Sequence, residues 1–126
     1  MATLGAELVH VATGEVEIAL PFSKRLTQQD GYLHAGMVAG VVDSACGYAA
    51  LTTMDADAEV LTVEFKINLL APAAGERLVA RGRVLRTGRT LTVCRGDAFT
   101  IKDGREKHVA TLTTTMIARY DVQAPA

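Results

Sequence analysis

The stretch from His34 to Thr53 constrains the chain more than any other. It has no proline and is longer than an ordinary strand, so it reads as a helix. Its surface is unusual, because Ala35, Gly36, Ala39, Gly40, Ala45, Gly47, Ala49 and Ala50 are all small. A glycine inside a helix costs about 1 kcal/mol relative to alanine. Such a run implies that something packs close to the helix backbone. A helix that is apolar nearly all round is buried nearly all round. A chain of 126 residues has little other material with which to surround one. The expectation is a sheet on one side and a partner subunit on the other.

The flanking segments supply the sheet. Glu15 to Leu20 alternates, with Val16, Ile18 and Leu20 on one face, and Pro21 stops it. Phe22 to Gly31 is polar and ends in an Asp30-Gly31 turn signal. After Asp55-Ala56-Asp57, Leu61, Val63, Phe65, Ile67 and Leu69 alternate with Thr62, Glu64, Lys66 and Asn68, which predicts a strand with one apolar face. Ala71 to Gly75 ends it. Glu76 to Arg86 and Arg89 to Ile101 read as strands joined at Thr87-Gly88. Lys102-Asp103-Gly104-Arg105 is a hairpin turn, and His108 to Tyr120 is the last strand. Strand, helix and four strands with short connections predict antiparallel neighbours. The resulting expectation is an α+β fold in one domain over residues 1–126, a curved antiparallel sheet wrapped around one long central helix.

Composition narrows the function classes. Net charge is −1 and the pI about 6.3, which favours neither nucleic acid nor an anionic membrane as partner. The first residues carry no basic and apolar leader pattern. The longest apolar stretch, Leu33 to Leu51, contains His34 and Asp43, which argues against a membrane helix. Cys46 and Cys94 have no metal-ligand spacing and fit a reducing, cytoplasmic setting. His10, His34 and His108 are too scattered for a metal site. No metal and no cofactor are expected.

The segment Gly31-Tyr32-Leu33-His34-Ala35-Gly36-Met37-Val38-Ala39-Gly40-Val41-Val42-Asp43-Ser44-Ala45-Cys46-Gly47-Tyr48 resembles the hotdog-fold acyl-CoA thioesterases of the phenylacetate-pathway type. That family carries His-Gly-Gly at the start of the central helix and an acid nine residues after the His. His34 and Asp43 have that spacing, and Gln28 stands where the family often has Asn or Gln. The resemblance continues through Thr62 to Ala73 and the last strands. It implies an acyl-CoA or related thioester as substrate. Asp43 would attack the thioester or activate a water, and the Ala35 N–H would polarise the carbonyl. Gln28 would hold substrate or water, and Thr62 would support the carboxylate or water. Ala35 replaces the first glycine of the pair; a backbone donor survives this, while the added methyl narrows the approach.

The residues support part of this chemistry independently. Setting His34 aside, Asp43 is the only charged residue between Leu33 and Met54. A buried carboxylate has a raised pKa, which suits a general base near neutral pH. The alternative is an Asp held by local hydrogen bonds at a helix bend. Nine helical residues advance about 13.5 Å and turn about 900°, so Asp43 faces away from His34 and lies far along the helix. One chain cannot easily bring both to one thioester. Two antiparallel helices about a two-fold axis can, with Asp43 of each near Ala35 and Gly36 of the other. A homodimer or homotetramer with shared sites is expected. The first N–H groups of a helix lack partners and lie at the positive dipole end, which suits an oxyanion.

Other candidates have ordinary readings beside the functional one. His34 is a cap or packing residue before it is an acid or base. Cys46 reads as core, and Ser44 lies in no G-x-S-x-G elbow. Between Arg77 and Arg95 there are six arginines and no acid. Arg86 and Arg89, beside Gly88, suit the phosphates of coenzyme A; an ordinary solvated sheet face explains them equally well. Thioester hydrolysis is therefore the leading expectation. A non-catalytic acyl-thioester binding module, a hydratase or dehydratase, and a structural interaction domain are the alternatives, the last leaving Asp43 without a purpose.

Overall fold

The computed structural model describes residues 5–23, 26–27 and 31–120. Among these, the elements run β1 (Glu7–Ala12), β2 (Glu15–Pro21), α1 (Ala35–Leu51), β3 (Glu59–Leu69), β4 (Arg77–Thr87), β5 (Leu91–Lys102) and β6 (Arg105–Arg119). The strands form one antiparallel sheet in the order β1-β2-β4-β5-β6-β3, with α1 packed on its inner face. This is the expected helix-in-sheet architecture. Among the described residues, no helix is long and apolar enough to cross a membrane.

Local chemistry explains the elements. Asp103 and Gly104 both have positive φ, at 51° and 74°, as a two-residue hairpin turn demands. The helix starts after His34, whose backbone is extended, and stops at Thr52. The Thr52 hydroxyl donates to the Ala49 carbonyl at 2.6 Å and accepts the Gly14 N–H at 2.7 Å, tying the helix end to the β1–β2 turn. Val38, Val41, Val42, Ala45, Cys46, Ala49 and Ala50 recur at helical spacing and are buried. They meet Val16, Ile18, Leu20, Leu78, Ala80, Leu112 and Met116 from the sheet. Each large aliphatic buried there contributes about 1.5–3 kcal/mol.

Close approach of helix and sheet comes from a different place than the sequence suggested. A Cβ on Gly82 would lie 2.5 Å from the Ala45 carbonyl carbon, and one on Gly96 would lie 2.4 Å from Val42 Cγ1. These two sheet glycines are cross-strand partners, and together they let α1 sink onto β4 and β5. A Cβ on Gly36 or Gly40 of the helix would meet nothing within 4 Å. The helix is therefore covered on one side by its own chain and open on the other.

Three further expectations need correction. The sequence reading had no strand before Glu15, yet Glu7–Ala12 forms β1, paired with β2. The strands β3 and β4 follow one another in sequence but are not neighbours. The Leu70 to Glu76 connection carries the chain across the sheet, so β3 pairs with β6 at the far edge. Finally, β3 does not keep one apolar face. The register shifts between Thr62 and Glu64. Thr62 contacts the helix and Ile67 packs on the core, an odd spacing that only an extra residue between them allows.

Candidate active site

Asp43 sits in the middle of α1, on the side away from the main core, and is half-buried rather than enclosed. Its Oδ1 accepts a hydrogen bond from the Thr62 hydroxyl at 2.9 Å. The bulge in β3 makes this contact, because it turns Thr62 inward while Ile67 beyond it still packs on the core. Thr62 Oγ1 also lies 3.2 Å from Met116 Sδ. A hydroxyl has one proton, and the carboxylate is the better acceptor. Asp43, Gly47, Tyr48, Val60, Thr62 and Met116 line a recess of about 210 Å³.

The start of the helix is a second, separate place. The His34 N–H donates to the Leu26 carbonyl at 3.0 Å and the Leu33 N–H to the Ala73 carbonyl at 2.9 Å, which fixes the chain as it enters α1. The His34 carbonyl accepts from Met37 and Val38, and its side chain makes no cap bond. That removes the side-chain cap reading of His34. Ala35 and Gly36 are exposed, and no acid stands in the first turn to offset the dipole. A wide cleft of about 680 Å³ opens here, lined by His34, Ala35, Val38, Leu69 and Pro72 among others. From Ala35 to Asp43 the helix advances about 12 Å. Within one chain the two places open into different recesses.

Gln28 lies outside the described residues. Gly88 donates its N–H to the Leu91 carbonyl at 2.7 Å, and a Cβ there would sit 2.7 Å from the same oxygen. The turn thus accounts for Gly88 and occupies its N–H. Arg86 and Arg89 are exposed, and Arg89 borders a small recess with Thr53, Asp55 and Tyr120 at the far end of α1. The rest of the arginine run divides. Arg81 binds Glu17 at 2.7 Å, pairs with Glu106 and lies over the Phe99 ring, 4.8 Å from its centroid. Arg95 faces Asp97 at 3.4 Å. The acids come from other elements or follow the run, so the solvated, paired sheet face is the right account of these two. Hydrogen bonds from Arg81 hold the Glu106 carboxyl below its ordinary pKa.

Burial pushes the Cys46 thiol far up, and the Cys94 thiol up to about 11. Neither is a thiolate at neutral pH, and Cys46 is core, not a nucleophile. Among the described residues, no group of three or more His, Cys, Asp or Glu is placed to share a metal ion. Sequence alone assigns Gly47, Tyr48 and Met116 no place in the site. The helical period does place Gly47 beside Asp43, four residues on. Met116 required the pairing of Thr62 with Met116 across β3 and β6.

One long helix laid on a six-stranded antiparallel sheet, with a lone carboxylate at its middle, defines a hotdog protein. The chain belongs to the Thioesterase superfamily, whose family profile matches residues 30–107. It is 52% identical to a thioesterase family protein from Silicibacter pomeroyi, over 95% of this chain and 88% of that one, with a TM-score of 0.93. It is 26% identical to a phenylacetic acid degradation-related protein from Ralstonia eutropha JMP134, covering 92% and 86% of the two chains with a TM-score of 0.81. Acyl-coenzyme A thioesterase 13 of Homo sapiens is 34% identical over 85 residues, 67% of this chain. The chain spans 60% of the length of that curated relative.

Proposed function

We propose that the protein hydrolyses an acyl-CoA or related acyl thioester at sites shared between two copies of the chain. One observation carries this reading. The Asp43 carboxylate and the start of the helix at Ala35, whose first N–H groups have no intrahelical acceptor, lie on one helix but open into different recesses. The helix surface between them is bare of large side chains, and Gly36 and Gly40 meet nothing of their own chain. An antiparallel second helix laid there brings each Asp43 to the other chain's helix start. The family, and the name of the human relative, support thioester chemistry.

In the shared site Asp43 takes a proton from water, and the hydroxide adds to the thioester carbonyl. The oxyanion that forms is held by the Ala35 and Gly36 N–H groups of the other copy. Collapse breaks the carbon–sulfur bond, and the thiolate takes the proton from Asp43. Thr62 holds the carboxylate in place. Direct attack by the carboxylate is the variant of this mechanism; hydroxylamine would trap its anhydride as an Asp43 hydroxamate. Gln28 stays a candidate to hold substrate or water, and His34 a minor one for proton transfer. Arg86 and Arg89 are assigned to the nucleotide phosphates, since no ion pair among the described residues occupies them. We place the reaction in the cytoplasm, where unpaired thiols such as Cys46 and Cys94 persist.

The test is turnover of a panel of acyl-CoA and acyl-pantetheine thioesters, read by release of free thiol. The expected result is hydrolysis by the wild type and a loss of about a hundredfold or more in kcat for Asp43→Asn, with melting temperature and oligomer state kept. Near-wild-type turnover would remove Asp43 from the mechanism. Tight binding without turnover would favour a non-catalytic binding module. Equal KM values for CoA and pantetheine substrates would remove the phosphate role of the arginines.

A further inference from the structure

We infer that Gly47 sets the bulk of the acyl group accepted beside Asp43, limiting it to about one aromatic ring. This rests on the functional reading above. Gly47 follows Asp43 by one helical turn and lines the same recess. Neither its backbone nor its packing calls for glycine. Its φ is not positive. A Cβ there would sit 3.9 Å from Val60 Cγ1 and 4.0 Å from Met116 Cε, which is ordinary contact. Gly82 and Gly96 are different, since any side chain there collides with α1. The helix would be more stable with alanine at position 47, so something other than the fold accounts for the glycine.

Direction separates Gly47 from the other helix glycines. The missing side chains of Gly36 and Gly40 point into open space, where a second helix can lie. That of Gly47 points toward Val60 and Met116, into its own chain's recess. The space kept free is therefore ligand space. The recess holds about 210 Å³, with Met116, Val60 and Gly47 as an apolar floor and the Asp43–Thr62 pair as its polar wall. An apolar cavity of about 150 Å³ is enough for benzene. A thioester whose carbonyl is met by Asp43 would place a short or single-ring acyl group on this floor. The longer thiol arm would then leave through the wide cleft at the other copy's helix start.

The experiment compares wild type with Gly47→Ala and Gly47→Val on acetyl-, butyryl-, hexanoyl-, benzoyl- and phenylacetyl-CoA. The quantity read is kcat/KM for each bulky substrate relative to acetyl-CoA. Alanine should lower this ratio about tenfold and valine further, as one added carbon in an apolar pocket does. The melting temperature of Gly47→Ala should equal or exceed that of wild type, so a shifted ratio cannot be a folding defect. An unchanged ratio, or a parallel fall across the series, would overturn the inference while leaving the hydrolase reading intact. A wild type that turns over no thioester would overturn both.

Discussion

Toward the sheet, α1 presents Val38, Val41, Val42, Ala45, Cys46, Ala49 and Ala50, and it is met by two glycines. Away from the main core, it presents Gly36, Gly40, Asp43, Gly47 and the exposed Tyr48. On the first side, glycine is a contact requirement: Gly82 and Gly96 exist so that two backbones can come together. On the second, no contact within the chain asks for glycine at all. Small residues thus report two different things, a neighbour already in place or a space kept for one. Only the three-dimensional neighbourhood tells the two apart.

The largest effect should come from filling the closed side. A side chain on Gly82 meets the Ala45 carbonyl and the Cys46 nitrogen within 2.6 Å, and backbone cannot move aside as a side chain can. Gly82→Val should cost more than about 3 kcal/mol, seen as loss of cooperative unfolding or a large drop in melting temperature. Gly40→Ala on the open side should leave the chain folded. If the two variants melt alike, the contrast between the faces is wrong.

Next in size is a recovery of activity. Asp43→Ala removes the carboxylate, and Gly36→Val obstructs the helix start at a position where an added Cβ meets nothing of its own chain. Each variant alone should be nearly inactive. After mixing, unfolding and refolding, half of randomly paired dimers are mixed and each has one intact site of two. Activity should therefore return to about a quarter of wild type. Mixed dimers that are demonstrably present but silent would place the whole site in one chain.

The smallest effect probes the support of the carboxylate. Thr62→Val keeps the shape and deletes the hydroxyl that donates to Asp43 at 2.9 Å. The expected loss is about tenfold in kcat, equivalent to one modest hydrogen bond to a charge. KM should change less than kcat. A variant with unaltered kcat would show that Asp43 needs no help from β3.

Much of this was legible in the sequence, because it lies in local pattern. The length of the His34 to Thr53 stretch and its lack of proline marked α1 within a few residues. The short turns at Thr87-Gly88 and Asp103-Gly104 marked β4, β5 and β6 and their antiparallel order. The spacing of His34 and Asp43 marked both halves of the candidate site. The rest was hidden for physical reasons. The edge strand β1 leaves Leu8, Val9 and Val11 exposed and is bulged at Val9, so it has no clean alternation to read. The bulge between Thr62 and Glu64 exchanges the faces of β3 without changing its composition. The pairing of Gly82 with Gly96 under α1 is a contact across strands, and a one-dimensional pattern carries no trace of it.

The position of β6 bears on how the chain emerges during synthesis. Lying between β5 and β3, it is the only strand that joins β3 to the sheet among the described residues. Leu69 waits for Ala110, and Glu59 for Arg119. At roughly 5–20 residues per second from the ribosome, that wait is of the order of seconds. Throughout it β3, the carrier of Thr62, has no pairing partner. A nascent chain cut short before β6 loses far more than one strand, because it sheds β3 and the support of Asp43 with it. One cut at the opposite end, in β1, would lose only an edge.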